Sequence, residues 1–168
     1  MGFPLLLALT TLLAAPASDA PSALAWLRAL EGAWRGTYNW TGARTDRGEM
    51  NAAYRLTGNG SALVEDLVQN DKPVMTTVYH LNGNELRMTH YCGAGNQPRL
   101  KARSIDLAKN VVRFDFVDIT NAPTLDAPHV HGFTIHRVDA NHLELEFLFL
   151  AKGKESVEHI QLERVVAG

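Results

Sequence analysis

The sequence HLELEFLFLA, residues 142–151, places an apolar side chain at every second position from Leu143 to Phe149. Because successive side chains of a β-strand point to opposite faces, this alternation is typical of a strand with one buried and one exposed face. The same pattern occurs in VVRFDF, residues 111–116, and in HIQL, residues 159–162. We therefore predict an all-β protein, whose inner face includes the following side chains: Val112, Phe114, Phe116, Leu143, Leu145, Phe147, Phe149, Ile160 and Leu162.

The same spacing predicts that three histidines point inward. In residues 86–92, Leu86 and Met88 are followed at every second position by His90 and Cys92. In residues 129–135, His129 and His131 precede Phe133 and Ile135 at that spacing. Residues two apart on a strand share a face, so we expect His90, His129 and His131 to lie on the apolar face.

Turn residues interrupt the alternation at nearly even intervals after Gly32. Asn-Gly and Gly-Asn pairs favour tight hairpins, because both residues tolerate positive φ. The nine predicted turns are residues 41–42, 58–60, 70–73, 82–84, 93–96, 108–110, 120–128, 139–141 and 152–154. Nine such turns join about ten antiparallel strands, and closing a meander of that length removes its exposed edges. We predict a closed up-and-down β-barrel of about ten strands in preference to a sandwich.

A short helix is predicted before the barrel. Leu24, Leu27 and Leu30 recur at three-residue spacing after the potential capping pair Ser18-Asp19. We expect residues 18–31 to form this helix and its lead-in, and residues 32–166 to form one barrel domain.

The first seventeen residues have the pattern of a secretory signal peptide. They carry no charged side chain, and an apolar run ends in Ala15-Pro16-Ala17, which matches an Ala-x-Ala cleavage site. No lysine or arginine precedes this run, which departs from the usual signal. The run is shorter than the roughly 20 residues that span a bilayer, so a membrane anchor is the weaker interpretation. We expect residues 1–17 to be cleaved and the protein to be periplasmic or secreted, with no stable membrane anchor.

Charge and cysteine content limit the possible partners. The 16 basic and 18 acidic residues are interspersed, which gives no basic stripe for nucleic acid. Cys92 is the only cysteine and lies far from the cleavage site, so we predict neither an intramolecular disulfide nor a lipid anchor. The oligomeric state is left open.

Two terminal features resemble the lipocalin and fatty-acid-binding superfamily. Gly32-Ala33-Trp34 opens the first predicted strand, and Arg164 closes the last. In that superfamily, a Gly-x-Trp on the first strand is packed at the barrel floor by an arginine from the last strand. The resemblance implies a structural contact between Trp34 and Arg164 that closes one end of the barrel.

Most of the chain, about residues 30 to 165, resembles a bacterial lipocalin-like, calycin-type family of unassigned function. The segments that carry this resemblance are residues 61–65, 77–81, 89–92, 95–99 and 114–118. It implies the barrel and a periplasmic or extracellular setting. Nitrobindin-like haem barrels are more distantly similar; their iron is held by a barrel histidine, but their ligand motif has no residue-by-residue match here.

The densest polar chemistry is expected at one mouth of the barrel, because alternate turns of a meander fall at the same end. Barrel ligand sites commonly lie there. Arg99 could clamp an anionic group, and Glu65 could be an inward carboxylate that a partner such as Tyr79 or His80 satisfies. The predicted ligand-binding residues are His90, Arg99, His131, Asp118, Tyr79, Glu65 and Gln97.

The three inward histidines raise a metal alternative. His129 and His131 project the same way on one strand, and His90 could complete three nitrogen ligands of a zinc site, with Asp118 or Glu65 as outer partners. Haem is a second possibility, and neither cofactor is specified by a motif. Histidines hydrogen-bonded at the rim, acid–base catalysis by His90 and a Cys92 nucleophile are further interpretations of the same residues.

These observations lead to two hypotheses of different kinds. The first is a binding protein that holds a small hydrophobic or amphipathic ligand in a pocket lined by Phe114, Phe116, Leu145, Phe147, Met88 and Tyr79, with His90, His131 and Arg99 orienting it. The second is a haem- or metal-binding protein, or an enzyme, that uses the mouth histidines. A barrel with a filled interior and a structural or partner-binding role is the remaining alternative.

Overall fold

The computed structural model describes residues 19–69 and 71–166. One helix precedes ten strands: α1 (Ala20–Arg28), β1 (Gly32–Gly42), β2 (Asp46–Thr57), β3 (Ala62–Gln69), β4 (Lys72–Asn82), β5 (Glu85–Tyr91), β6 (Gln97–Asp106), β7 (Val111–Thr120), β8 (His129–Arg137), β9 (His142–Ala151) and β10 (Lys154–Arg164). The predicted signal peptide, residues 1–17, lies outside the described residues. Among the residues described, no helix is both long and apolar enough to cross a membrane.

The strands form a closed antiparallel barrel in which each strand pairs with its sequence neighbours and β1 pairs with β10. The predicted ten-stranded up-and-down barrel is confirmed. The predicted turns lie at or near the junctions between observed strands, although some overlap strand ends and Thr41-Gly42 lies at the end of β1. Asn59 has φ 53° and Gly83 has φ 57°, the left-handed conformation that Asn and Gly tolerate in tight hairpins. Local turn chemistry therefore accounts for the meander.

The helix α1 closes one end, which we call the floor. Leu24, Leu27 and Leu30 are buried, as the sequence predicted. The Trp26 indole donates to Asn110 Oδ1 at 3.2 Å, in the β6–β7 turn. Asp19 is the N-cap residue but makes no side-chain capping bond.

Trp34 and Arg164 make the predicted contact at the floor. The Arg164 guanidinium carbon lies 4.2 Å from the Trp34 ring centroid. Arg164 also donates to the carbonyls of Ala29 and Glu31, at 2.8 and 2.9 Å. The first strand, the last strand and the end of the helix are thereby joined at one point.

The middle of the barrel is filled by side chains. Tyr79, Phe114 and Phe133 pack with ring centroids about 6 Å apart, and Phe133 lies 4.5 Å from Phe147. Phe114, Leu145, Met88 and Tyr79 are all at most 1% exposed. The prediction that Phe114, Leu145, Met88 and Tyr79 line a ligand pocket is wrong, because these four residues belong to the packed core. Of the six side chains predicted to line it, Phe147 alone also lines the cavity described below.

Candidate functional site

A cavity of about 270 Å³ opens at the end of the barrel opposite α1. We call it the mouth cavity, and its lining is Tyr38, Trp40, Arg44, Asp46, Met50, Gln69, Val74, Met75, Cys92, Gly93, Ala94, Val130, Phe147, Phe149 and Glu158. Trp40 and Phe149 pack edge to face, with centroids 5.7 Å apart. The methionines adapt their shape to neighbours more readily than branched residues do, because their side chains are unbranched and flexible. The cavity thus combines aromatic and apolar side chains with three charged ones, Arg44, Asp46 and Glu158.

Glu158 is the deepest charged group of the mouth cavity. Its side chain is buried, and burial raises the pKa of its carboxyl to about 7, although the positive charge of Arg44 opposes this shift. The close contacts of Arg44 are with other residues: its guanidinium lies 4.1 Å from the Trp40 ring centroid and 3.4 Å from Asp46. Glu158 therefore faces the cavity without an ion pair of its own among the described residues.

Glu158 was missed by the sequence analysis, although the signal was present. Ile160 and Leu162 were correctly placed on the inner face, and continuing the same alternation two residues earlier reaches Glu158. The register confirms the position, because Glu158 lies opposite Trp40 on β1 and Phe147 on β9. A polar residue at an inward position of a strand is thus visible in the sequence when the alternation of its neighbours is extended across it.

A row of polar side chains crosses four neighbouring strands below the cavity. Tyr54 lies opposite Glu65, Glu65 opposite Thr77, and Thr77 opposite His90. We call these residues the buried polar row, and all are at most 2% exposed. Glu65 and His90 thus lie inside the barrel, as predicted, but beneath the mouth cavity rather than in its wall.

Hydrogen bonds satisfy this row only in part. The hydroxyls of Tyr54 and Tyr79 donate to Glu65 Oε2 at 2.7 and 2.9 Å, and Thr77 Oγ1 lies 2.9 Å from His90 Nδ1. Among the described residues, Glu65 Oε1 and His90 Nε2 are buried without a partner. Burial raises the pKa of Glu65 to about 7 and lowers that of His90 to about 4, so both groups favour their neutral forms.

Arg99 and Asp118 do not belong to the mouth cavity, which corrects the prediction that they face a ligand there. Arg99 lies between the inward residues Pro98 and Leu100, and its guanidinium makes two 2.6 Å contacts with the Asp118 carboxylate. Both side chains are about half exposed, on the outer face. The pair neutralises itself, and it lowers the pKa of Asp118 through the hydrogen bond and charge of Arg99.

Gln97 takes part in a rim contact rather than in the cavity lining. Its Oε1 accepts a hydrogen bond from Thr120 Oγ1 at 2.9 Å. This contact joins the start of β6 to the end of β7. Its predicted role in ligand binding stays a prediction.

The expected inward orientation of His129 and His131 is wrong, because a β-bulge interrupts β8. The register shifts between Val130 and Gly132, so that Val130 takes the inward position opposite Phe149. An extra residue in one strand reverses the alternation beyond it. Val130 is buried and lines the mouth cavity. His129 is also buried, but neither histidine lines that cavity.

These histidines instead pack against Phe116, beyond the point where the pairing of β7 with β8 ends. The last paired residues of these strands are Asp115 and Gly132. Beyond them, Phe116 stacks on His131 at 4.9 Å and contacts His129 at 5.0 Å. The carbonyl of Ala127 lies 2.7 Å from His129 Nδ1, and His129 Nε2 lies 3.1 Å from His131 Nδ1.

The three histidines that suggested zinc are not brought together. His90 stacks near Phe147, at 5.2 Å between centroids, whereas His129 and His131 contact each other and Phe116. Within residues 19–69 and 71–166, no three His, Cys, Asp or Glu side chains are grouped so as to hold a metal ion. The ligand set predicted for a metal therefore has no geometric support.

Comparison with known proteins extends the description of the fold only. No family model matches the sequence, and no curated protein matches it. The structure is similar to the crystal structure of a protein of unknown function from the DUF3598 family of Nostoc punctiforme, with a TM-score of 0.56 and 13% sequence identity. The match covers 83% of this chain and 49% of the other, so this chain spans about half the length of that protein. At this identity, the likeness supports a shared barrel fold.

Proposed function

We propose that this protein is a calycin-type barrel that is exported and binds a small molecule in the mouth cavity. Support for export comes from the apolar run before Ala15-Pro16-Ala17. Support for binding comes from a concave site at the mouth of a barrel, lined by aromatic, apolar and charged side chains, where such folds commonly bind ligands.

The observation that carries this proposal is the coexistence, in one cavity, of aromatic side chains and one deeply placed carboxyl. The packed middle of the barrel provides a rigid base, since Phe147 is held by Phe133 and His90. Glu158 supplies a polar group at fixed depth between Trp40 and Phe147. A few placed polar groups within apolar walls give a ligand site its orientation and specificity.

Cavity size restricts the ligand. About 270 Å³ is just below the roughly 300–1,000 Å³ usual for small-molecule pockets. A compact amphipathic molecule with a single ring or a short branched chain fits this volume, whereas a long acyl chain would have to displace the packed core. The ligand therefore presents an apolar body to Trp40 and Phe149 and a polar group to Glu158.

A thermal-shift screen with compact amphipathic molecules tests the proposal on the full protein. A ligand at 100 times its dissociation constant stabilises the folded state by about 2.7 kcal/mol, which gives a readily measured rise in Tm. Val74→Phe narrows the cavity and should abolish the shift. Val117→Phe adds the same ring to an exposed position on the outer face of β7 and should preserve it. The absence of any ligand-dependent shift, with no small molecule co-purifying in native mass spectrometry, would refute ligand binding.

A further inference from the structure

The mouth cavity is lined by more acidic than basic side chains. Its lining contains one arginine, Arg44, and two acidic residues, Asp46 and Glu158. Arg44 and Asp46 are ion-paired near solvent, with side chains 52% and 46% exposed. Asp46 also accepts a hydrogen bond from the Tyr38 hydroxyl at 3.2 Å. The remaining charge, on Glu158, lies in the buried part of the cavity.

We infer that the ligand of the mouth cavity is a small organic cation, a protonated or quaternary amine on a compact apolar group, with Glu158 as its counter-ion. This inference rests on the proposed binding function and names the class of ligand. An ionised carboxylate away from water is costly unless it is paired, and an incoming ammonium supplies the pair.

The aromatic wall supports the same ligand class. Arg44 already places a cation over the Trp40 ring at 4.1 Å, which shows that this face accepts positive charge. Phe149 packs edge to face with Trp40, and both rings line the cavity. A cation between this wall and Glu158 would gain both an ion pair and a cation–π contact.

The titration of Glu158 gives the inference a pH dependence. The groups that face it are Arg44 from the β1–β2 connection, Asp46 at the start of β2, Tyr38 from β1 and the Cys92 thiol that follows β5. Burial raises the pKa of Glu158 to about 7, so the carboxyl is mostly protonated at pH 6 and mostly ionised at pH 8. The ionised fraction therefore rises about tenfold between these values, and cation affinity should rise with it.

Three ligands that share one ring test the charge preference. Benzylamine, benzyl alcohol and benzoate are titrated into the full protein by calorimetry at pH 8. Benzylamine should bind most tightly, and Glu158→Gln should weaken its binding at least tenfold. Glu155→Gln, an exposed change on the same strand, should leave binding unchanged. Arg44→Ala should strengthen amine binding several-fold, because it removes a competing cation from the Trp40 face.

A second measurement needs no substitution, so it holds even when a variant folds poorly. Benzyltrimethylammonium carries a fixed charge, and its affinity for the wild-type protein should rise about tenfold from pH 6 to pH 8 with Glu158 ionisation. A flat profile would overturn the role of Glu158.

The remaining outcomes separate this inference from the proposed function. Equal binding of amine and alcohol, unaffected by Glu158→Gln, overturns the cation preference and leaves small-molecule binding intact. Preferred binding of benzoate that Arg44→Ala abolishes overturns it in favour of an anion site. If none of the three ligands binds, the cation inference fails, and the proposed function fails only when the broader thermal-shift screen is also negative.

Discussion

Replacing Glu65 with Gln should change how the stability of the barrel depends on pH. The pKa of Glu65 is raised from 4.5 to about 7 in the folded protein, chiefly because the side chain is buried. As the pH rises from 4.5, the unfolded chain releases this proton first, so the folded state loses stability until the folded carboxyl also ionises above pH 7. At about 1.4 kcal/mol per pKa unit, the full loss is roughly 3 kcal/mol, of which about 2.5 kcal/mol falls between pH 5 and pH 8.

Glutamine has no proton to release, so Glu65→Gln should gain about 2.5 kcal/mol relative to the wild type on going from pH 5 to pH 8. Any fixed cost of the amide, such as its unpartnered NH₂, is the same at both pH values and cancels. Glu158 titrates in both proteins and cancels as well. Urea unfolding monitored by tryptophan fluorescence at the two pH values measures the difference. For the exposed control Glu49→Gln, the change in unfolding free energy between pH 5 and pH 8 should differ from that of the wild type by less than about 0.5 kcal/mol.

Parallel stability curves for wild type and Glu65→Gln from pH 5 to pH 8 would refute the reasoning. They would mean that the two tyrosine hydroxyls, or water at Oε1, offset the cost of burying the charge. Stabilisation of the same size at both pH values would instead indicate a packing effect that is independent of ionisation.

Three further perturbations test the core and the floor. His90, whose pKa is lowered to about 4 by burial, should contribute a loss of up to about 3 kcal/mol as pH falls from 6.5 to 4, opposite in sign to the contributions of Glu65 and Glu158. His90→Gln should therefore gain about this amount relative to the wild type in unfolding curves over that range, and parallel curves would contradict it. Arg164→Met should lower the free energy of unfolding in urea by about 2 kcal/mol, because the contact with Trp34 and the hydrogen bonds to the carbonyls of Ala29 and Glu31 are lost. It should also increase amide hydrogen exchange at the end of α1, and unchanged exchange would contradict the coupling between Arg164 and the helix. Phe147→Ala should lower the free energy of unfolding by about 3–5 kcal/mol, and Phe116→Ala should lower it clearly less, because Phe147 is fully buried and Phe116 is not. Equal losses for the two variants would contradict this description of the core.

The fold was predictable because each hairpin is specified locally. Asn-Gly and Gly-Asn turns fix where strands end, and regular alternation in β9 and β10 fixes which side chains point inward. These signals do not decide the orientation of every strand. For Glu65, sequence left two orientations open, because Val64, Asp66 and Val68 form an equally plausible inner face; register with β2 and β4 decides between them.

Arg99 shows a different limit of sequence reasoning. Its position beside a Gly-Asn-Gln turn suggested that it folds over the mouth, yet its own alternation with Pro98 and Leu100 places it outside. Its partner Asp118 is nineteen residues away and lies opposite it only after a register shift next to Leu100. An exposed bidentate pair of this kind depends on strand pairing, which no local pattern encodes.

The bulge in β8 explains why the predicted pair of inward histidines, His129 and His131, does not line the mouth of the barrel. A sequence pattern with a period of two assumes an unbroken strand, and one extra residue near His131 exchanges the faces of everything before it. Val130 consequently takes the inward position, and β7 and β8 separate around Phe116. His129 is still buried, but neither it nor His131 lines the mouth cavity. In β10, where the register runs without a shift from Lys154 to Glu163, the same rule extends correctly to the mouth. The reliable polar candidates in such a barrel are therefore those on unbroken strands, and Glu158 meets that criterion whereas the His129–His131 pair does not.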